Sequence, residues 1–418
     1  MEEKPEPTDQ QPAQSYSDMV LRRLGRNRVA VFGLYCIAFL VLIAIAAPLL
    51  SLNQPFIWSA GEGLQFPFFR ALFNRLLFEN SVDILFNLLL VLGLLLGLLA
   101  LPLGLLLPRP LRTKLWRSRG VVLRRVLLGV VLCFLLMSPQ RFGQIPNPLF
   151  FTERALNYRE RAAELRAEGK HVTAVFPLAP FGYRETNPGR NLQAPDLEHW
   201  LGTDTEGRDV FSRMLYGTRI SLTIGVIAVS IYVGIGIVFG ALAGYYGGRV
   251  DLWISRLIEV MICFPSFFLI LTIAALIEER SIFHVMLIIG LTSWTGVARL
   301  IRAEFLKNVN LEYVQAARAL GIRQDRIIFR HILPNAIAPV LVTATFGVAS
   351  AILVESSLAF LGIGDLTVAS WGETLNTGRT EGKLWLVLAP GLAIFFVVSI
   401  FNLVGEGLRD ALDPKLDS

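Results

Sequence analysis

Eight apolar runs constrain this 418-residue chain more than any other feature. They lie at 28–50, 82–107, 121–138, 219–246, 253–277, 282–301, 336–361 and 384–406. A helix needs about 20 apolar residues to cross a hydrocarbon core of about 30 Å, and each run meets or approaches that length. The chain therefore reads as an all-α integral membrane protein of about eight spans. Composition agrees: 54% of residues are hydrophobic and 17% charged, against about 25% charged in soluble domains. The shortest run, 121–138, is uninterrupted only from Val126, with Arg124 and Arg125 placed to snorkel at its end.

Flanking charge sets the direction of the spans, because Lys and Arg collect in cytoplasmic loops. Arg22, Arg23, Arg26 and Arg28 precede or open the first run. Arg109, Arg112, Lys114, Arg117, Arg119, Arg124 and Arg125 follow the second with no acid among them. Between 299 and 331, seven Lys or Arg stand against Glu304, Glu312 and Asp325. Alternation through eight spans then leaves both termini in the cytoplasm. The net charge of +6 is explained by these loops, so no nucleic-acid partner is expected.

Segment 139–218 carries ten basic and ten acidic residues, as suits an external region not sorted by charge. It contains one predicted helix, Thr152 to Glu168, with Thr152 as its N-cap and Gly169 just past its end. Ala155, Tyr158, Ala162 and Leu165 form its apolar stripe. Residues 1–18 are polar and Pro-rich and read as disordered. Asp83, at a span edge, is expected to reach water. Gly93 and Gly97 have a helix-packing spacing. Cys36, Cys133 and Cys263 read as buried thiols, and His171, His199, His284 and His331 are too scattered for a metal site. No P-loop, nucleophile triad or cofactor motif is present, so catalysis is assigned to a partner.

The connection at 311–335 is unusual in being both long and amphipathic. Glu312 to Leu320 is rich in helix formers, with Val314, Ala317 and Leu320 at helical spacing on one side. Gly321 is placed to end that helix in a left-handed conformation. A second element begins at Ile322, and Pro334 marks the start of the next span. Ala316 and Ala317 allow close backbone approach. Such a helix–turn–helix can project into a groove on another protein.

Gln315, Ala316, Ala317, Gly321, His331, Leu333 and Pro334 resemble the cytoplasmic EAA loop of bacterial binding-protein-dependent ABC importers. That pattern is Glu-Ala-Ala, three residues, Gly, nine residues, Ile, one residue, Leu-Pro. Gln315 stands at its Glu position and His331 at its Ile position, and the His variant resembles the dipeptide/oligopeptide/nickel branch. Further resemblances lie in Leu-Gly-Thr-Asp and Gly-Arg-Asp around Gly202, Asp204, Gly207, Arg208 and Asp209. Others are YYGGRVD at Tyr245–Asp251, ESSLAFLGIG at Glu355–Gly364 and GEGLRDALDP at Gly405–Pro414. From the residues alone, Gly202, Gly207 and Gly217 supply tight turns, while Asp204, Arg208, Asp209, Arg213 and Arg219 are placed to form one ion-paired network.

The resemblance implies a type I ABC importer transmembrane domain with six core spans plus two inserted ones. It divides the chain into a cytoplasmic tail, 1–27, the first span, 28–50, and an insertion, 51–198, carrying 82–107 and 121–138. A permease core, 199–407, with coupling loop 311–335 (Glu312 included) and a cytoplasmic tail, 408–418, complete it. It further implies a bacterial inner-membrane permease for peptides or similar solutes. The implied partners are a homologous permease, two ATPase subunits, an extracytoplasmic binding protein and membrane lipid. Glu259 and Glu355 are charges within spans and so candidates for the translocation path, or else ion-paired structural groups, Glu259 with Arg256. A different reading makes them coupling groups of an ion-driven secondary transporter. Nickel as the solute, and a nonconducting scaffold, also stay open.

Overall fold

In a computed structural model of the protein, residues 16–61, 63–106, 156–278, 280–365 and 367–412 are described. The expected span at 121–138, the basic stretch 109–125, Thr152, Ala155 and Cys133 lie outside them. Among the described residues, five helices are long and apolar enough to cross a membrane: Arg28–Leu50, Val210–Tyr246, Ile282–Asn308, Ala338–Phe360 and Leu384–Leu412. The apolar run at 82–107 is a helix, Ser81–Leu106.

The run at 253–277, expected as one straight span, is two helices, Gly248–Cys263 and Ser266–Leu276, bent by 80°. Its cause is Pro265, which pushes the residue before it out of the helical region. Phe264 is extended accordingly, with φ −91° and ψ 128°. Cys263, the last residue before the break, is exposed rather than buried. The N-terminal helix Tyr16–Arg26 takes in the end of the stretch expected to be disordered.

In chain order the elements are α1 (Tyr16–Arg26), α2 (Arg28–Leu50), β1 (Ile57–Ser59), α3 (Pro67–Ala71), α4 (Ser81–Leu106), α5 (Tyr158–Ala167) and β2 (Thr173–Val175). Then follow α6 (Val210–Tyr246), α7 (Gly248–Cys263), α8 (Ser266–Leu276), α9 (Ile282–Thr292) and α10 (Thr295–Asn308). Two compact units result. The first comprises Met1–Phe39, Ile224–Glu355 and Ile394–Ser418, and the second Leu40–Thr223 and Ser356–Ala393.

In the first unit, Gly236, Gly240 and Gly244 present one face of α6 to α10. A Cβ at these positions would stand 2.6 Å from Val297 Cβ, 2.5 Å from the Ala298 carbonyl oxygen and 2.5 Å from Phe305 Cβ. Between apolar helices in lipid, close van der Waals contact must replace the hydrophobic effect, and small residues permit it. This four-residue spacing was there to be read. Gly93, singled out instead, has nothing within 4 Å of a Cβ among the described residues.

The second unit carries the described part of segment 51–198. Strand β1 pairs antiparallel with β2, Trp58 opposite Ala174. Helix α5 lays Ala162 and Leu165 on Trp58 and Val172. Asn157 caps α5, its side chain accepting from the N–H groups of Arg159 and Glu160. Gly169 closes the helix with φ +76°. A larger core joins Ala47 of α2, Phe68 and Leu72, Ile84 of α4, Tyr183 and Tyr216 of α6.

Asp83 does not reach water: it is 3% exposed. Arg219 of α6, itself fully buried, stands 3.1 Å from its Oδ1. Tyr183 donates its hydroxyl to Asp83 Oδ2 at 2.8 Å. An acid two residues into an apolar helix is thus neutralised by a cation more than a hundred residues away.

Candidate functional site

The 311–335 connection is built from α11 (Glu312–Ala319), α12 (Gln324–Arg326), a π-helical turn (Ile327–Ile332) and α13 (Leu333–Ala336), before α14 (Ala338–Phe360). Val314 is 0% and Ala317 5% exposed, whereas Leu320 is 80% exposed. The expected single face of Val314, Ala317 and Leu320 is therefore split. At 100° per residue Leu320 continues the stripe only while the helix lasts, and α11 stops one residue short of it. Ala317 packs within the loop and is not free to meet another protein.

Gly321 has φ +70°. Its N–H donates to the Arg318 carbonyl at 2.9 Å, and that of Ile322 to Ala317 at 3.1 Å. These are the two bonds that satisfy the last carbonyls of a helix when the following residue is left-handed. The π-helical turn places Ile327, Ile328 and Ile332 inside. Pro334 follows directly, where its missing N–H coincides with an already altered ladder. His331 is partly exposed, its carbonyl accepting from Asn335 Nδ2 at 3.1 Å. Leu333 is half-buried, while Glu312, Gln315, Ala316 and Pro334 are exposed. Large apolar side chains join this outer rim, and the two most exposed are Leu320 and Phe329, the latter at 57%.

A second cluster lies in the other unit, at the start of α6. Gly202 and Gly207 hold left-handed φ values of +73° and +72°. A Cβ at Gly207 would lie 1.9 Å from the Asn187 carbonyl oxygen. Gly217 makes no turn: it sits inside α6 and leaves room for Trp371, whose Cδ1 would be 2.5 Å from a Cβ there. Asp204 Oδ1 accepts from the N–H groups of Glu206 and Arg208, both at 2.9 Å, and Oδ2 from Arg208 Nε at 2.6 Å. Asp209 caps α6, accepting from Ser212 N–H at 2.7 Å, and its Oδ1 is 2.9 Å from His199 Nδ1.

The expected single charge network is therefore three. Asp204 holds Arg208 and, at 3.6 Å, Arg213; Asp209 belongs to His199 and Ser212; Arg219 belongs to Asp83. The residue sequence reasoning missed is Glu373, on α15 (Trp371–Glu381). It hydrogen-bonds Arg213 and lies 3.5 Å from Arg208. Burial works against the charge on Arg208, but Asp204, Glu373 and Glu206 outweigh it and raise its pKa. A signal for α15 existed in Ser370-Trp371-Gly372-Glu373, the Ser-x-x-Glu pattern of a helix start. Ser370 accepts from Gly372 N–H at 3.2 Å.

The two acids expected on the translocation path, Glu259 and Glu355, differ. Glu259 is more than half exposed and pairs with Arg256 at 2.6 Å. Glu355 is 5% exposed.

Residues 236–418 match the family described as the binding-protein-dependent transport system inner membrane component. Residues 15–62 match the N-terminal transmembrane domain of oligopeptide transport permease C. The dipeptide transport system permease protein DppC of Alkalihalophilus pseudofirmus is 43% identical over 252 residues, 59% of this chain and 83% of the relative. The oligopeptide transport system permease protein OppC of Haemophilus influenzae is 39% identical over 58% of this chain and 80% of its own length. DppC of Bacillus subtilis is 40% identical, and the match takes in 96% of that protein but 67% of this one. About a third of this chain lies outside that match.

Proposed function

The chain belongs to the family of binding-protein-dependent transport system inner membrane components, as a multi-pass permease subunit of an ABC importer, and on that premise we propose that its 311–335 loop docks a cytoplasmic ATPase subunit. The carrying observation is the loop's two-sided build. Val314, Ala317, Ile327, Ile328 and Ile332 fix its shape from inside, while Leu320 and Phe329 stand exposed among polar neighbours. Apolar side chains held out by a rigid short helix suit a groove in a partner, where a few such anchors carry most of the binding energy.

Leu320→Glu therefore reduces ATPase co-purification by at least about tenfold, the scale of losing one interface anchor. Its 80% exposure leaves the isolated permease with parental yield and heat stability. Full ATPase recovery with both Leu320→Glu and Phe329→Glu would remove the loop from the interface. Ala317→Arg is the wrong probe, since a buried position would break the loop itself.

The complete importer in this reading adds a homologous permease, a second ATPase subunit and an extracytoplasmic binding protein. ATP binding favours one global state, and the spans alternate between outward and inward access. Peptides are the proposed cargo, as the names of the relatives indicate; mass spectrometry of ligands retained by the cognate binding protein tests this. The basic residues of the loop support a cytoplasmic position for it, and alternation of the spans then puts α5 outside. In a variant with Cys36, Cys133 and Cys263 replaced by Ser, a cysteine at Glu164 reacts with a membrane-impermeant maleimide on intact cells. One at Arg323 reacts only after permeabilisation, and the reverse pattern would overturn the orientation.

A further inference from the structure

The motif Tyr245–Asp251 has no role in ATPase docking as described above, yet the loop grips it from both sides of Gly321. Before the glycine, the Arg318 guanidinium lies 4.9 Å over the ring of Tyr245. After it, Gln324 Oε1 accepts a hydrogen bond from the Tyr246 hydroxyl at 3.1 Å. The two rings meet edge to face, 5.2 Å between centroids and 90° between planes. Gly247 and Gly248, at φ +62° and +50°, then turn the chain from α6 into α7. In the first turn of α7, Asp251 receives two hydrogen bonds from Arg302 of α10, the Nη2 bond at 2.7 Å. Helix α10 ends at Asn308, just before the loop begins. The contacts therefore close a ring: loop, Tyr pair, glycine turn, α7, α10 and back to the loop.

We propose that Tyr245 and Tyr246 are positioning residues that pass displacement of the loop into α6 and α7, so that loop and helices move as one element. This rests on the docking reading above. Burial does not explain Tyr246, which is 49% exposed; its hydroxyl is committed to the loop.

The test uses the assembled transporter in proteoliposomes, reading ATPase subunits retained per permease and the ratio of binding-protein-stimulated to unstimulated ATP hydrolysis. Tyr245→Leu and Arg318→Gln each retain the ATPases at the parental ratio. Each lowers the stimulation ratio about two- to fivefold, the equilibrium equivalent of one exposed cation–π contact. Tyr245→Phe, which keeps the π face, restores it, and the Tyr245→Leu/Arg318→Gln double variant is no worse than either single one. Arg318 is exposed, so Arg318→Gln tests the contact even if Tyr245→Leu fails to fold. Unchanged stimulation in Arg318→Gln, or additive losses in the double variant, overturns the proposal. So does loss of ATPase retention together with stimulation, which makes the pair a support for loop shape. Failure of the docking reading shows elsewhere, as full ATPase recovery with both Leu320→Glu and Phe329→Glu.

Discussion

Gly240→Val is expected to abolish recovery of folded protein. A Cβ at Gly240 would lie 2.5 Å from the Ala298 carbonyl oxygen and 2.8 Å from Ile301 Cβ. Both neighbours are fully buried, so neither has space to retreat. The obstacle on the α10 side is backbone, which cannot change rotamer. Overpacking a core position costs about 1–3 kcal/mol where side chains can adjust. Here relief requires α6 and α10 to separate along their length, and the contacts at Gly236 and Gly244 are lost with it. The cost therefore exceeds that range, a large part of the marginal stability of about 5–15 kcal/mol typical of folded proteins. Gly234→Val is the control, on the same helix with nothing within 4 Å of a Cβ. Size-exclusion profiles after heating distinguish them: parental for Gly234→Val, aggregated or absent for Gly240→Val. Identical profiles would mean that this close approach does not hold the pair together.

The spans were legible because hydropathy averages over about 20 residues and tolerates local errors. Their ends were not. Helix α6 begins at Val210 rather than 219, because Asp209 caps it and because Arg213 and Arg219 each find a buried acid. Within one window those arginines read as charge that ends a span. Their partners, Glu373 and Asp83, lie 160 and 136 residues away, beyond any local pattern. The bend at Phe264, by contrast, was available in Pro265.

The loop shows the same divide between pattern and placement. Its residue types and the break at Gly321 follow from helix-ending chemistry. Which face of α11 points inward does not, because periodicity gives the angle between residues and not the direction of the stripe. Val314 and Ala317 as a small apolar pair fit either an external groove or the loop's own interior. Burial decides for the interior, which is why the docking proposal rests on Leu320 and Phe329 instead.

Asp83→Leu is expected to destabilise the protein by about 3–5 kcal/mol, the usual consequence of removing one partner from a buried ion pair. Arg219 would stay at 0% exposure without its carboxylate partner, with the Ala44 carbonyl at 2.7 Å, the backbone carbonyl of residue 83 at 3.4 Å and the rings of Tyr216 and Phe86 as its remaining support. Tyr183 would lose the acceptor of its buried hydroxyl. Arg219→Met in the same chain should recover much of the loss. Apolar replacement of both members of a buried pair is often neutral or stabilising by about 1–4 kcal/mol, and Arg219 Nη2 already has no hydrogen-bond partner among the described residues. Tyr183 stays orphaned in the double variant, so adding Tyr183→Phe should complete the recovery. Heat stability and the protease resistance of the 156–198 segment provide the measurement. A single Asp83→Leu variant as resistant as the parent would show that the pair does not secure α4. Recovery in the double and triple variants would show that α4 is held against α6 by shape and apolar contact, with the charges setting its register.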